Sequence, residues 1–151
     1  MPNTPALVGA GAAALAKGAH ATDEDLKTAE AILGAVGITV CVAERFIDAV
    51  TALSGSGPAY VFLVTEAMIK AGVAQGLDEA LARKLAIQTV YGAAKLLVES
   101  REEPESLRRK VTSPGGTTEA ALKVMGERKL EEIFAEAIRA AEKRSRELSG
   151  S

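Results

Sequence analysis

One cysteine, one histidine and no tryptophan occur in 151 residues, and aromatic residues make up only 3% of the chain. A lone Cys41 excludes an intramolecular disulfide, and Cys41 with His20 is too few for a Cys/His zinc cluster or a histidine-rich metal site. His20 sits in a Gly/Ala-rich stretch, with no sign that Ser54, Ser56 or Ser113 could use it as the base of a nucleophilic triad. Charge of one sign is also lacking. Eighteen basic against 20 acidic residues leave a net charge of -2, which gives no electrostatic footprint for nucleic acid, and the basic run Arg108, Arg109, Lys110 reads as a solvated helix end. No basic-then-apolar leader opens the sequence, and its most apolar run, Ala59 to Leu77, is broken by Glu66, Lys70 and Gln75, which are costly in lipid. These absences point to a cytoplasmic protein with no nucleic-acid and no membrane partner.

What the chain has in quantity is alanine, 29 residues of it, within a composition that is 48% hydrophobic and 25% charged. That is the composition of a folded domain, and the length suffices for one domain with a real core. Apolar volume carried by small side chains favours closely packed helices.

Met1 to Lys17 mixes two prolines with Gly-Ala-Gly, leaving Ala12 to Lys17 as a short strand-like piece. Thr22 offers an N-cap with Asp23, Glu24 and Asp25 in the first turn, and Leu26, Ala29, Leu33 and Val36 share one helical face before Gly37. Ile38, Val40 and Val42 alternate with Thr39 and Cys41 as a strand does. Two strands alone are marginal in water, so this segment needs something larger to dock on. From Ala43 onward the pattern is helical over Glu44–Leu53, Pro58–Gln75, Asp78–Glu99, Pro104–Lys110, Thr117–Met125 and Leu130–Leu148. The expected fold is mainly α, a helical bundle preceded by a small strand-helix-strand piece, divided into residues 1–42 and 43–151.

In Pro58–Gln75 the residues Val61, Phe62, Leu63, Val64, Met68, Ile69 and Val73 run right round the cylinder. Such a helix is most easily covered by a second subunit, so the chain is expected to be a homodimer. Ala82, Ala86, Thr89 and Ala93 offer a narrow smooth face for close helix approach, whereas Leu130, Ile133, Phe134, Ala137, Ile138 and Ala141 make a conventional core stripe.

Two clusters are unlike plain connectors. In Thr112-Ser113-Pro114-Gly115-Gly116-Thr117-Thr118, glycines let the backbone curl with amides pointing inward, hydroxyls flank them, and a helix follows at once. That is equipment for a carboxylate or phosphate, although a simple capped turn uses the same residue types. Ser54-Gly55-Ser56-Gly57-Pro58-Ala59-Tyr60 is either a hinge between apolar helices or a ligand wall. Gly9-Ala10-Gly11 lacks the third glycine and the following helix of a dinucleotide fingerprint, and no Walker A pattern is present. The carboxylates Glu99, Glu102, Glu103 and Glu105 are spread round a helix end and take no role.

The segments MPNTPALVGAG at the start, SGSGPAY at Ser54–Tyr60, GAAKLL at Gly92–Leu97 and VTSPGGTT at Val111–Thr118 closely resemble pyrroline-5-carboxylate reductase, over essentially the whole chain. The resemblance implies reduction of 1-pyrroline-5-carboxylate to L-proline with NADPH or NADH, and an interlocked helical dimer. It further implies that the chain corresponds to the end of the nucleotide-binding domain's sheet plus the helical substrate-binding domain. The cofactor-binding part would then be absent, and the chain nearly inactive by itself with no cofactor bound. Carried over by residue, Ser113, Gly115, Gly116, Thr117 and Thr118 would hold the substrate carboxylate, with Val111 beside the ring and Pro58 lining the pocket. Thr118 would be the catalytic hydroxyl at the ring nitrogen, and Asn3 would lie near the cofactor side. Ala10 and the pair Lys129-Leu130 depart from the family pattern, the latter replacing a more usual Gly-aromatic pair. Two other classes remain: a non-catalytic helical dimerisation module whose loop only caps a helix, and an anion-binding regulator indifferent to proline-like rings.

Sedimentation is expected to return a dimer or larger assembly; a stable monomer with a cooperative melt would remove the two-chain reading. Deleting residues 1–42 is expected to improve solubility by removing orphaned strand edges.

Overall fold

The computed structural model of the chain describes residues 1–150. In chain order it comprises a 3₁₀ helix Thr4–Val8, strand β1 Gly11–Leu15, helix α1 Asp23–Gly34, strand β2 Gly37–Cys41, a 3₁₀ turn Glu44–Phe46, α2 Ile47–Val50, a π-helical turn Thr51–Gly55, α3 Gly57–Ala74, α4 Glu79–Ser100, α5 Pro104–Lys110, α6 Thr117–Glu127 and α7 Leu130–Ser149. The mainly helical class with a small strand-helix-strand opening is as the sequence predicts. The described residues divide into two compact units, Met1–Val61 with the residues from Phe134 onward, and Phe62–Ile133.

In the first unit β1 and β2 pair in parallel, with Gly11 opposite Gly37 and Leu15 opposite Cys41. Parallel neighbours need a crossover, and α1 supplies it. Its start is a complete capping box. Asp25 N–H donates to Thr22 Oγ1 at 3.1 Å, while the Asp25 carboxylate accepts from Thr22 N–H at 2.8 Å. That backbone hydrogen bond, with a second from the Thr22 hydroxyl, holds the Asp25 carboxyl below its ordinary pKa. A Cβ at Gly37 would collide with the backbone of Gly11, so only glycine lets the strands begin side by side.

The helix expected over Glu44–Leu53 is not uniform. It starts as a 3₁₀ turn and ends in a π-turn, where Ser56 N–H reaches back to Thr51 O at 2.8 Å instead of Ala52 O. Gly55 and Gly57 weaken the α-helix here, and Pro58 brings no N–H, so an extra residue is absorbed at little cost. The α7 portion of this unit is tied to α2 by Ser145 Oγ donating to Asp48 Oδ1 at 2.6 Å.

In the second unit α3 closes through Leu77 N–H to Gly72 O and Gly76 N–H to Val73 O, the paired bonds of a Schellman end. Asp78 Oδ1 then caps α4, accepting from Ala80 N–H at 2.6 Å. α5 begins on Pro104 at a first-turn position and is braced by Lys110 Nζ on Glu102 Oε2 at 2.5 Å, which holds the Glu102 carboxyl below its usual range.

The real core anticipated from chain length is not found among the described residues. The buried apolar side chains are Ala13, Ala14, Ala52, Ala82 and Ala86, and no large side chain is fully buried. On α3, Phe62 is 61% and Leu63 65% exposed. The α7 stripe is likewise not a core within this chain: Leu130, Ile133 and Phe134 are exposed. Helices pattern themselves for burial, and the described residues leave these faces uncovered. By length and composition the helical run Glu44–Ala74 is also apolar enough to cross a membrane, with mean hydropathy 1.3; it carries Glu66 and Lys70, both exposed and 4.0 Å apart.

Lys129, one of the family departures, takes a left-handed φ of +57 between α6 and α7. A side chain there is strained by about 1–2 kcal/mol. Lys129→Gly is therefore expected to stabilise the chain by about 0.5–1 kcal/mol in denaturant melts, after glycine's entropic cost. The structure reverses the expected effect of deleting residues 1–42. Ala12, Ala13, Ala14, Ile38 and Val40 wall an apolar recess together with Val50 and Leu53, and Asn3 is hydrogen-bonded to Ser54. Removing the segment bares that surface, so aggregation or lost folding is expected, checked by soluble yield and circular dichroism.

Candidate functional site

The sequence between α5 and α6 folds as a tight turn anchored at both ends. Thr112 Oγ1 donates to Arg108 O at 2.6 Å, tying the loop's entry to the last turn of α5. Gly116 N–H donates to Ser113 O at 3.0 Å across Pro114 and Gly115, and Gly115 has φ +70. Proline second and a left-handed glycine third are what a type II turn demands. Gly115 N–H donates to Glu119 Oε2 at 2.8 Å, so the turn is also held from the helix that follows it.

Gly116 is the N-cap of α6 and brings no side-chain cap. The N–H groups of Thr117 and Thr118, in the first turn of an eleven-residue helix, have no helical acceptor before them. Their hydroxyls make no hydrogen bond among the described residues. Thr118 is half-buried, whereas Val111, Ser113 and Thr117 are exposed. Beside the turn lies an open groove of about 570 Å³ lined by Arg108, Arg109, Thr112, Glu119, Leu122 and Lys123. Its three cations raise the local potential, with Arg109 partly engaged by Glu105 at 3.6 Å.

The expectation that the glycine amides point inward for a ligand is corrected in part. Gly116 commits its N–H inside the turn, which closes on its own fourth amide, and Gly115 N–H is taken by the Glu119 carboxylate of α6. The donors left open are those of Thr117 and Thr118 and the hydroxyls. Glu119 was missed in the sequence. Its signal was an acid at the third helical position, where carboxylates reach back toward helix-entry amides.

Val111, Ser113, Gly115, Gly116, Thr117 and Thr118 all belong to the second unit; Pro58 and Asn3 belong to the first. Pro58 is half-buried in the first turn of α3. The π-turn before it leaves carbonyls without their usual helical partners, and side chains take them up. Tyr60 Oη donates to Ala52 O at 3.0 Å and Asn3 Nδ2 donates to Ser54 O at 3.0 Å. The other end of Asn3 is occupied too, Oδ1 accepting from Ala12 N–H at 2.9 Å. Gly9 closes the 3₁₀ helix and Gly11 begins β1, so Gly9-Ala10-Gly11 is not the strand-to-helix turn that cradles a dinucleotide. No cluster of three metal-ligating side chains occurs among the described residues.

Residues 44–148 match the family model described as pyrroline-5-carboxylate reductase dimerisation. A pyrroline-5-carboxylate reductase of Synechocystis is 51% identical over 148 residues, covering 98% of this chain and 55% of that protein. The enzyme of that name from Arabidopsis thaliana is 48% identical over 151 residues, covering 100% of this chain and 55% of its own length. Among solved structures, a pyrroline-5-carboxylate reductase from Coxiella burnetii aligns with a TM-score of 0.94 at 45% identity, covering 98% of this chain and 55% of that one. The Plasmodium falciparum pyrroline carboxylate reductase, with NADP bound, aligns at 0.89 and 34% identity, covering 96% and 59%. The chain spans about half the length of the relatives it matches. With a dimerisation model matched over most of its length, the chain belongs to the pyrroline-5-carboxylate reductase family.

Proposed function

We propose that residues 43–151 form the dimerising, substrate-binding part of a cytoplasmic reductase that converts 1-pyrroline-5-carboxylate to L-proline with NADPH or NADH, and that residues 1–42 complete its nucleotide-binding domain. The observation that carries this reading is the Ser113–Gly116 turn opening an uncapped α6, with the Thr117 and Thr118 donors left free. A substrate carboxylate there gains charge-assisted hydrogen bonds from amides and hydroxyls together with the positive end of the helix. Ser113, Gly115, Gly116 and Thr117 shape that cradle and Val111 lies beside the ring; Pro58, in the other unit, is kept as a substrate-binding residue on the family resemblance. Thr118 Oγ1 then donates to the ring nitrogen, drawing electron density from the C=N bond and holding a proton where the amine forms. Gly9-Ala10-Gly11 builds no dinucleotide cradle, and Asn3 is kept as the residue nearest the cofactor side, its amide held by Ser54 O and Ala12 N–H.

The dimer follows from the uncovered faces. Burying one Val, Leu or Phe gains about 1.5–3 kcal/mol, and α3 alone exposes Val61, Phe62, Leu63, Val64, Met68 and Val73. A second copy with the same faces is the occupant the dimerisation match supports.

Proline titrated into isotope-labelled protein is expected to shift the amides of Gly115 to Thr118 at millimolar concentration, and silence there would favour a bare dimerisation module. Phosphate shifting the same amides while proline does not would favour an anion-binding regulator. Thr118→Val is expected to weaken proline binding about tenfold, the loss of one hydrogen bond to a charged ligand. Gly115→Ala, forced to φ +70, should cost about 1–2 kcal/mol of turn stability and abolish the shifts.

A further inference from the structure

The Ser54–Pro58 segment carries an acceptor that its own helix cannot satisfy. Ser54 O would ordinarily receive the N–H of residue 58, but that residue is Pro58 and has none. The next amide, Ala59 N–H, donates to Ser56 O at 3.0 Å. The bond that reaches Ser54 O comes from 51 positions away in sequence, from Asn3 Nδ2 at 3.0 Å. The same side chain accepts from Ala12 N–H at 2.9 Å, at the start of β1. Asn3, Ala12, Ser54 and Pro58 belong to one compact unit, and Asn3 and Ser54 are both half-buried. One side-chain amide therefore joins the first residues of the sheet to the helix break that Pro58 closes.

We infer that Asn3 is a positioning residue for Pro58: its side-chain amide replaces the N–H that proline lacks and so fixes the Ser54–Pro58 wall against β1. It acts through the wall and touches no ligand. The link to substrate rests on the pocket proposed above, whereas the clamp itself does not. A proline at this position is a rigid wall only if the carbonyl it orphans is held elsewhere, because an unpartnered, partly buried carbonyl would otherwise pull the turn toward water.

The test is a double-mutant cycle on the dimeric chain at one fixed protein concentration. Pro58→Ala restores an amide that can bond Ser54 O within the helix. Asn3→Ala is expected to raise the unfolded-to-folded ratio about tenfold in the natural background and about threefold beside Pro58→Ala, the remainder being the Ala12 bond. Equal effects in both backgrounds would overturn the clamp, since a merely structural asparagine has no reason to sense whether residue 58 is proline. Asn3→Asp, which keeps the acceptor for Ala12 and loses the donor, serves if Asn3→Ala does not fold. Its destabilisation should likewise shrink beside Pro58→Ala. In the natural background Asn3→Ala should also weaken proline binding about tenfold with the dimer mass unchanged, and an unaltered affinity would overturn the positioning role. If the unmodified chain does not bind proline at all, the pocket reading is what fails, and the cycle alone decides the clamp.

Discussion

Everything in this chain turns on apolar helix surface that cannot be covered from within. α3 is apolar round its whole circumference, α7 carries a broad apolar face, and the buried side chains among the described residues are all alanine. Hydrophobic burial is the main favourable term in folding and grows with the apolar area removed from water. The faces left open are the kind that association covers, and the dimerisation match across 44–148 falls on these helices. Where folding and assembly are one equilibrium, measured stability is tied to protein concentration.

The two segments with the least regular backbone are the ones that carry the proposed substrate-binding residues. The break at Thr51–Pro58 combines a π-turn, two stranded carbonyls and a proline, and distant side chains repair it: Tyr60 takes Ala52 O and Asn3 takes Ser54 O. The break at Val111–Thr118 uses proline and a left-handed glycine to reverse the chain within four residues. Both place polar backbone next to a helix start, where unsatisfied donors are concentrated. Regular helices would have consumed those groups internally and offered a ligand nothing.

Much of this was legible in the residues. The N-cap at Thr22 with acids in the first turn, the strand-helix-strand opening, the extent of α5 and the all-round apolar α3 followed from spacing alone, because each depends on local chemistry or on period. The π-turn was not legible, since it depends on which of two carbonyls one amide selects, a choice made jointly by Gly55, Gly57 and Pro58. The α7 stripe was read as core because periodicity reports that a face is to be buried without saying by which chain. Asn3 drew attention only through family resemblance. Its bond partner lies 51 residues away, and no local pattern announces a contact of that range.

The carboxylate of Glu119 on Gly115 N–H has a consequence for how the loop meets any anion. The turn is shaped by the protein's own acid, so its form does not wait on a ligand, and the donors an anion would meet are the amides of Thr117 and Thr118 at the start of α6.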